Sequence, residues 1–372
     1  MKISKSLSTF ILGLSFIFIF ILPLQTLADT DEKIVNIYSW NDFIAPNTLK
    51  NFTKETGIKV NYDIVDSSDI MEAKLISGRS GYDVALPSSN PSVPRLIATG
   101  ALHPLDKSKI PNLKYIDPTL AKIAEGFDPG NKYSVIYQYV VLGLGVNKTK
   151  VKELLPNAPL DSLDLVLKPE YAKELSKCGI VMLDAPLEMI STIAHYYGFD
   201  KDTTDEAELK IIEDKLLQIR PYIRYFHSSS YINDLASGDI CVAIGFSGDV
   251  NQAASRAKEL GTTTDIEFYI PREGSEISFD LLAIPNDSQH IENAYAYINY
   301  ILRPDVMGAI SNHIEYPNAI PESRKHMNPE LLEEGKVFLT PADLKKTFTT
   351  ELLSKMELRK RNRLWTKFLY DQ

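Results

Sequence analysis

Trp40, Asp42 and Phe43 follow directly on a strand-like run, Ile34-Val35-Asn36-Ile37-Tyr38. A strand end calls for turn residues, and a core excludes an unpaired carboxylate. An indole, a carboxylate and a phenyl ring together instead offer an aromatic face and a negative charge, which suit an organic cation. The pattern recurs along the chain. Glu188 follows a strand-like run ending in Leu183, Asp249 follows one ending in Phe246, and Asp280 stands beside Phe279 within a third. Three of these acids have a local alternative: Asp42 and Asp249 can cap the helices that follow them, and Glu188 can complement a helix N-terminus. Asp280 is different, because it interrupts an otherwise apolar strand and a buried carboxylate needs a partner. The stretch from Arg224 to Tyr231, rich in hydroxyls and aromatics, suits either ligand hydrogen bonding or a helix cap.

Catalytic and metal chemistry have less support. The sequence contains no GxSxG elbow, HExxH pair, phosphate-binding glycine loop or calcium-binding loop. Its six histidines, His103, His195, His227, His290, His313 and His326, are scattered without metal-ligand spacing. A pair of acids could serve glycoside hydrolysis, which depends on a separation the sequence does not give. The expectation is a binding protein with no catalytic residue, metal or cofactor.

The acids must be positioned by strands and helices. Ile34–Tyr38 reads as a strand, Asn47–Glu55 as a helix closed by Gly57, and Ile58–Val65 as a strand with alternating Val60, Tyr62 and Ile64. A helix over Asp69–Ser77 and a strand over Tyr82–Leu86 follow. This alternation predicts an α/β domain with a parallel sheet, whose ligands sit beyond the carboxyl ends of the strands. Trp40 and Ser88 both fall at that edge. A second α/β region follows the long apolar run Tyr133–Val146, which suits a buried strand or a crossover between domains. Two strands around Arg272-Glu273-Gly274 then return the chain to the first region, and the remainder reads as helical, with Ile291–Leu302 followed by shorter helices.

At the N-terminus, Lys2 and Lys5 precede the apolar run Phe10–Ile21, and Thr26-Leu27-Ala28 offers a cleavage site. This layout is that of a secretory signal peptide over residues 1–28; the apolar run is shorter than the ~20 residues a membrane span needs. The absence of a cysteine at the cleavage point argues against a lipid anchor, so the expected location is the periplasm of a Gram-negative bacterium. The remaining chain would carry 38 Lys and Arg against 49 acids, a net charge of −11. That balance disfavours nucleic acid and is compatible with a cationic ligand. In an oxidising compartment Cys178 and Cys241 read as a disulfide, with two buried free thiols as the alternative.

Taken together, "IYSWNDFIAP", "FTKETGIKV", "GYDVALPSS", "LHPLDKSKIPN", "DAPLEMI", "RYFHSSSYINDLASGDICVAIGFSGDV", "ISFDLLAIP" and "YILRPDV" resemble the periplasmic polyamine-binding proteins of ABC transporters, most closely the putrescine-binding branch. The resemblance covers the chain beyond residue 28. It implies a two-lobe α/β binding protein of the Venus-flytrap kind, with a mainly parallel sheet flanked by helices in each lobe. The lobes would comprise residues 29–137 with about 277–320, and 138–276 with about 321–372. It further implies a polyamine ligand (putrescine, with spermidine or cadaverine as variants), an inner-membrane ABC permease as partner, and a monomer. Carried over residue by residue, the ligand site would consist of Trp40, Asn41, Asp42, Phe43, Ser88, Glu188, Ser228, Phe246, Asp249, Ser278, Asp280 and Tyr316. Asp249 and Asp280 would hold one ammonium, the rings would sandwich the methylenes, and Glu188 would act at the other end through water. The same relatives imply the Cys178–Cys241 disulfide.

Four positions depart from the family pattern: Asn41 replaces a small hydroxyl, Phe43 a tyrosine, Phe246 a tryptophan and Ser278 an aromatic. These changes imply a roomier pocket with weaker putrescine affinity or a shifted polyamine preference. The competing expectations are a binding protein for another cationic solute, such as a basic amino acid derivative, and a signalling or adhesion module that has lost transport.

Overall fold

Alternate burial along Ile34–Trp40, with Val35 and Ile37 fully enclosed, marks the first strand of a mixed sheet. The computed structural model describes residues 33–41, 43–65, 67–262, 264–332 and 338–370. The expected signal peptide and Asp42 lie outside the described residues. Among the described residues, no helix is long and apolar enough to cross a membrane.

The strands are β1 (Ile34–Trp40), β2 (Lys59–Val65), β3 (Val84–Ala85), β4 (Ser134–Asn147), β5 (Ile180–Met182), β6 (Ile223–Phe226), β7 (Val242–Phe246), β8 (Ile266–Tyr269), β9 (Ser275–Ala283) and β10 (Thr347–Phe348). They follow the path β2-β1-β3-β9-β4-β7-β5-β6, with β8 beside β4 and β10 beside β9. The two flanks are parallel: β1 with β2 and β3, and β5 with β6 and β7. Between them β9 runs antiparallel to β3 and β4, and β4 runs antiparallel to β7 and β8. Parallel flanks require crossover connections, which the helices supply. The first of these, Thr48–Thr56, ends at Gly57 in the left-handed conformation, whose N–H returns to the Thr53 carbonyl.

Apolar side chains gather in two large cores. One surrounds β4, β5 and β7 and includes Ile193, Leu216, Trp365 and Phe368 from the covering helices. The other joins β1 and β3 to the helices Ile291–Ile301 and Pro304–Ile314, through Phe52, Tyr297, Ile298 and Ile310. The strands β4 and β9 feed both. Val135 and Tyr137 belong to the second core while Tyr139, Val141 and Leu144 belong to the first; on β9, Ile277, Phe279 and Leu281 serve the first and Leu282 the second. The near-continuous burial of β4 follows from this position, because neither face meets water. Tyr82–Leu86 reduces to the two residues of β3. The C-terminal portion closes with a helix of 16 residues, Lys355–Tyr370, longer than its sequence suggested.

Candidate functional site

β7 ends at Phe246, and a helix over Ser247–Glu259 begins on the next residue, so Asp249 falls in its first turn. Asp249 does not cap this helix; Phe246 holds the N-cap position without a side-chain bond. Its two oxygens instead each accept a tyrosine hydroxyl: Tyr231 Oη donates to Oδ2 at 2.7 Å and Tyr316 Oη donates to Oδ1 at 2.6 Å. Tyr231 Oη also accepts the Phe246 N–H at 2.9 Å, which ties the carboxylate's orientation to the end of β7. The tyrosines fit because the backbone facing them carries no side chain. A Cβ on Gly248 would overlap the Tyr316 ring, and one on Gly245 would overlap the Tyr231 ring. Burial raises the Asp249 carboxyl above its ordinary pKa, partly offset by the two hydroxyls. The helix N-terminus favours its anion.

Asp280 projects from the interior of β9 and is 7 % exposed. Gln138 Nε2, directly across on β4, donates to Oδ2 at 3.0 Å, and Ser88 Oγ reaches Oδ1 at 3.4 Å. Ser88 is placed by the loop after β3, which clamps onto β9: Ser89 N–H donates to the Phe279 carbonyl at 2.7 Å and Leu281 N–H to the Pro87 carbonyl at 3.0 Å. Burial pushes the Asp280 carboxyl up to about 6, against the pull of Gln138 and Ser88. Among the described residues, Asp249 and Asp280 are hydrogen-bonded by neutral donors alone.

Aromatic rings connect the two. Trp40, held by an Nε1–H bond to the Leu86 carbonyl at 2.8 Å, lies 6.5 Å from the Phe43 ring. Phe43 lies 6.2 Å from Tyr316 and 6.5 Å from Tyr137, and the Tyr137 hydroxyl donates to the Phe43 carbonyl. Trp40, Phe43 and Phe246 remain partly exposed. The structure thus brings Trp40, Phe43, Ser88, Asp280, Tyr316, Asp249 and Phe246 into one connected set, through Tyr316, which meets Phe43 and Asp249 and feels the charge of Asp280.

Asn41 is exposed at the end of β1, and Ser278 is partly buried on the same face of β9 as Asp280. Ser228 is exposed, with its hydroxyl donating to the Asp184 carbonyl at 3.3 Å. Glu188, in the first turn of the helix Pro186–Tyr196, has Glu276 as a charged neighbour. Burial raises the Glu188 carboxyl. Cys178 and Cys241 are disulfide-bonded, with Cα atoms 5.5 Å apart.

Gln138 and Tyr137 are site neighbours that the sequence does not single out, and Tyr231 is reached there only as the end of the Arg224–Tyr231 stretch. Gln138 and Glu276 carry the signal that singled out Asp280, a polar residue interrupting an apolar strand. A cavity of about 600 Å³ elsewhere, lined by Lys148, Asp161, Asp265, Glu267 and Lys346 among others, shares none of the expected site residues. Its charges are largely paired with one another, as Lys148 is with Asp265 at 3.1 Å and Glu267 at 2.7 Å.

A buried carboxylate and a half-buried one, both held by neutral donors beside half-exposed rings, can replace the water of a compact cation and cover an apolar chain attached to it. Comparison with known proteins agrees with this chemistry. The chain is 45% identical to a putrescine-binding periplasmic protein of Escherichia coli, over 91% of both chains. It is 43% identical to a putrescine-binding periplasmic protein of Pseudomonas aeruginosa, over 91% of this chain and 92% of the other. A spermidine/putrescine ABC transporter substrate-binding protein from Streptococcus pneumoniae superposes with a TM-score of 0.79 at 26% identity, over 90% of this chain and 98% of that one. Residues 47–334 match the bacterial extracellular solute-binding protein family, to which this chain belongs.

Proposed function

We propose that this protein captures a polyamine, putrescine foremost, in the periplasm and delivers it to an ABC permease in the inner membrane. The observation that carries this reading is the pairing of Asp249 and Asp280 with neutral donors only, next to the ring run Trp40–Phe43–Tyr316. A carboxylate already neutralised by an arginine would gain little from a ligand. One satisfied by hydroxyls and an amide keeps its charge available for an ammonium, and charge-assisted hydrogen bonds of that kind are the strong ones. The rings supply apolar area for the methylene chain and a cation–π surface.

In this reading Asp249 and Asp280 hold one ammonium, while Trp40, Phe43, Phe246 and Tyr316 cover the chain. Ser88 orients Asp280, and Asn41, Asp42, Ser228, Ser278 and Glu188 complete the surround. The lobes divide as residues 29–137 with about 277–320 and 138–276 with about 321–372, and the protein acts as a monomer that binds without turnover. The relatives at 43% and 45% identity, both putrescine-binding by name, support the ligand class.

Calorimetric titration of refolded, ligand-stripped protein with putrescine, cadaverine, spermidine, spermine, arginine and lysine tests the proposal. Tight binding of a polyamine with both amino acids silent is the expected result. Silence across the whole set, or preference for an amino acid, would overturn it.

A further inference from the structure

Along β9 the side chains alternate, so Glu276, Ser278 and Asp280 share one face. At roughly 3.3 Å per residue, Glu276 stands about 13 Å along the strand from Asp280. Glu276 is 5 % exposed, yet only one of its oxygens is partnered: Oε1 accepts the Thr350 hydroxyl at 2.9 Å, and Oε2 is buried with no hydrogen bond. A second acceptor on this face is equally idle. Gln138, whose Nε2 is spent on Asp280, keeps its Oε1 buried and unpartnered. Buried acceptors left without donors are costly, and here two of them occur on the face that carries Asp280.

The charged groups beside Glu276 are Glu188, Arg361 and Asp202, the last of them ion-paired with Lys201. Glu188, from the helix Pro186–Tyr196, and Asp202, from the loop after that helix, both disfavour its ionisation, while Arg361 from the C-terminal helix favours it. Arg361 does not neutralise the group by direct contact, because its guanidinium is committed to neutral acceptors: the carbonyls of Thr203 and Lys201 and the Ser191 hydroxyl. Burial is the largest influence, and the Glu276 carboxyl is pushed up to about 8. Burial and the neighbouring Glu188 favour the protonated form of Glu276, and a positive charge placed beside it favours ionisation.

We propose that Glu276 extends this site along the β9 face as a second cation subsite, which takes the distal ammonium of a linear triamine whose other end lies at Asp249 and Asp280. This rests on the reading of the Asp249–Asp280 face as a polyamine site. The length of the face selects the ligand. Taking about 1.2 Å per bond from an extended backbone, a four-carbon diamine spans about 6 Å between nitrogens and a triamine with three- and four-carbon segments about 11 Å. The diamine ends short of Glu276, whereas the triamine spans the distance between side chains that reach inward from positions about 13 Å apart. The three N–H donors of an ammonium then satisfy Glu276 Oε2, and the idle Gln138 oxygen is available to the inner amine. Glu276 is thus a specificity-determining residue, and spermidine is the probe of the matching length.

The experiment is calorimetry of ligand-free protein with putrescine and spermidine, in wild type and Glu276→Gln. The substitution is expected to weaken spermidine binding tenfold or more and putrescine binding less than twofold, so that the spermidine-to-putrescine affinity ratio falls at least fivefold. An unchanged ratio overturns the subsite. In the wild type at pH 7, spermidine should release close to one more proton than putrescine, read from two buffers of different ionisation enthalpy. Equal release overturns the proposal even if the variant fails to fold. Failure of the wild type to bind either amine removes the polyamine reading and the subsite with it. Binding of putrescine with spermidine silent leaves that reading intact and sinks the subsite alone.

Discussion

With its carboxyl pushed up to about 6, Asp280 binds its proton more tightly in the folded protein than in the unfolded chain, where an aspartate titrates near 3.9. Its contribution to stability is therefore fully present below about pH 4 and is lost as pH rises through about 6. At neutral pH the ligand-free protein bears an ionised carboxylate inside a strand, and an ammonium relieves that cost. Asp280→Asn is expected to stabilise the ligand-free protein at pH 7.5 by on the order of 1–3 kcal/mol and to have little effect below pH 4. The same variant should lose putrescine affinity by tenfold or more. Melting curves at the two pH values, with a titration, check this; equal destabilisation at both would make the carboxylate structural. In the wild type, protons compete with the ligand, so putrescine affinity should fall as pH drops below about 6. A second prediction concerns the lost rings. Phe246→Trp combined with Ser278→Phe should tighten putrescine binding, and unchanged affinity would count against the roomier-pocket account. Asp280 itself was legible in the sequence because it breaks an apolar run. The same logic applies to Gln138 and Glu276, which period-two alternation and cross-strand register place on its face.

The junction of β7 with the helix Ser247–Glu259 decides where Asp249 points, and its geometry depends on an absent side chain. Gly248→Ala would drive a methyl into the Tyr316 ring, which is buried and has no free end to swing away. Overpacking of this kind costs about 1–3 kcal/mol, and displacing Tyr316 removes one of the two donors to Asp249. Reduced denaturation midpoint and weakened putrescine binding should therefore appear together; a stable variant with native affinity would show that Tyr316 is dispensable. The strand and the helix at this junction were readable from the apolar run and the polar, alanine-rich segment after it. The clamp on the carboxylate was not, since Tyr231 and Tyr316 lie 18 and 67 residues away and no local pattern couples them. Glu188 illustrates the converse: its place at a helix N-terminus was legible, but its buried neighbour Glu276, 88 residues on, was not.

For the molecule, the two cores have different helices but common strands. β4 contributes Val135 and Tyr137 to one and Tyr139, Val141 and Leu144 to the other, and β9 divides in the same way around Leu281 and Leu282. Neither core retains its sheet if the other melts, so scanning calorimetry should give one transition whose van't Hoff and calorimetric enthalpies agree. Two resolved transitions would mean that the cores hold independently. The sharing also changes what a bound amine does. Asp280 and Gln138 lie on these strands, facing each other across the β4–β9 ladder. A ligand that binds only the folded form raises stability by mass action, and here that gain cannot stay local. A few contacts at the midline set the heat tolerance of both halves, so a cell with abundant ligand holds a sturdier protein than a starved one.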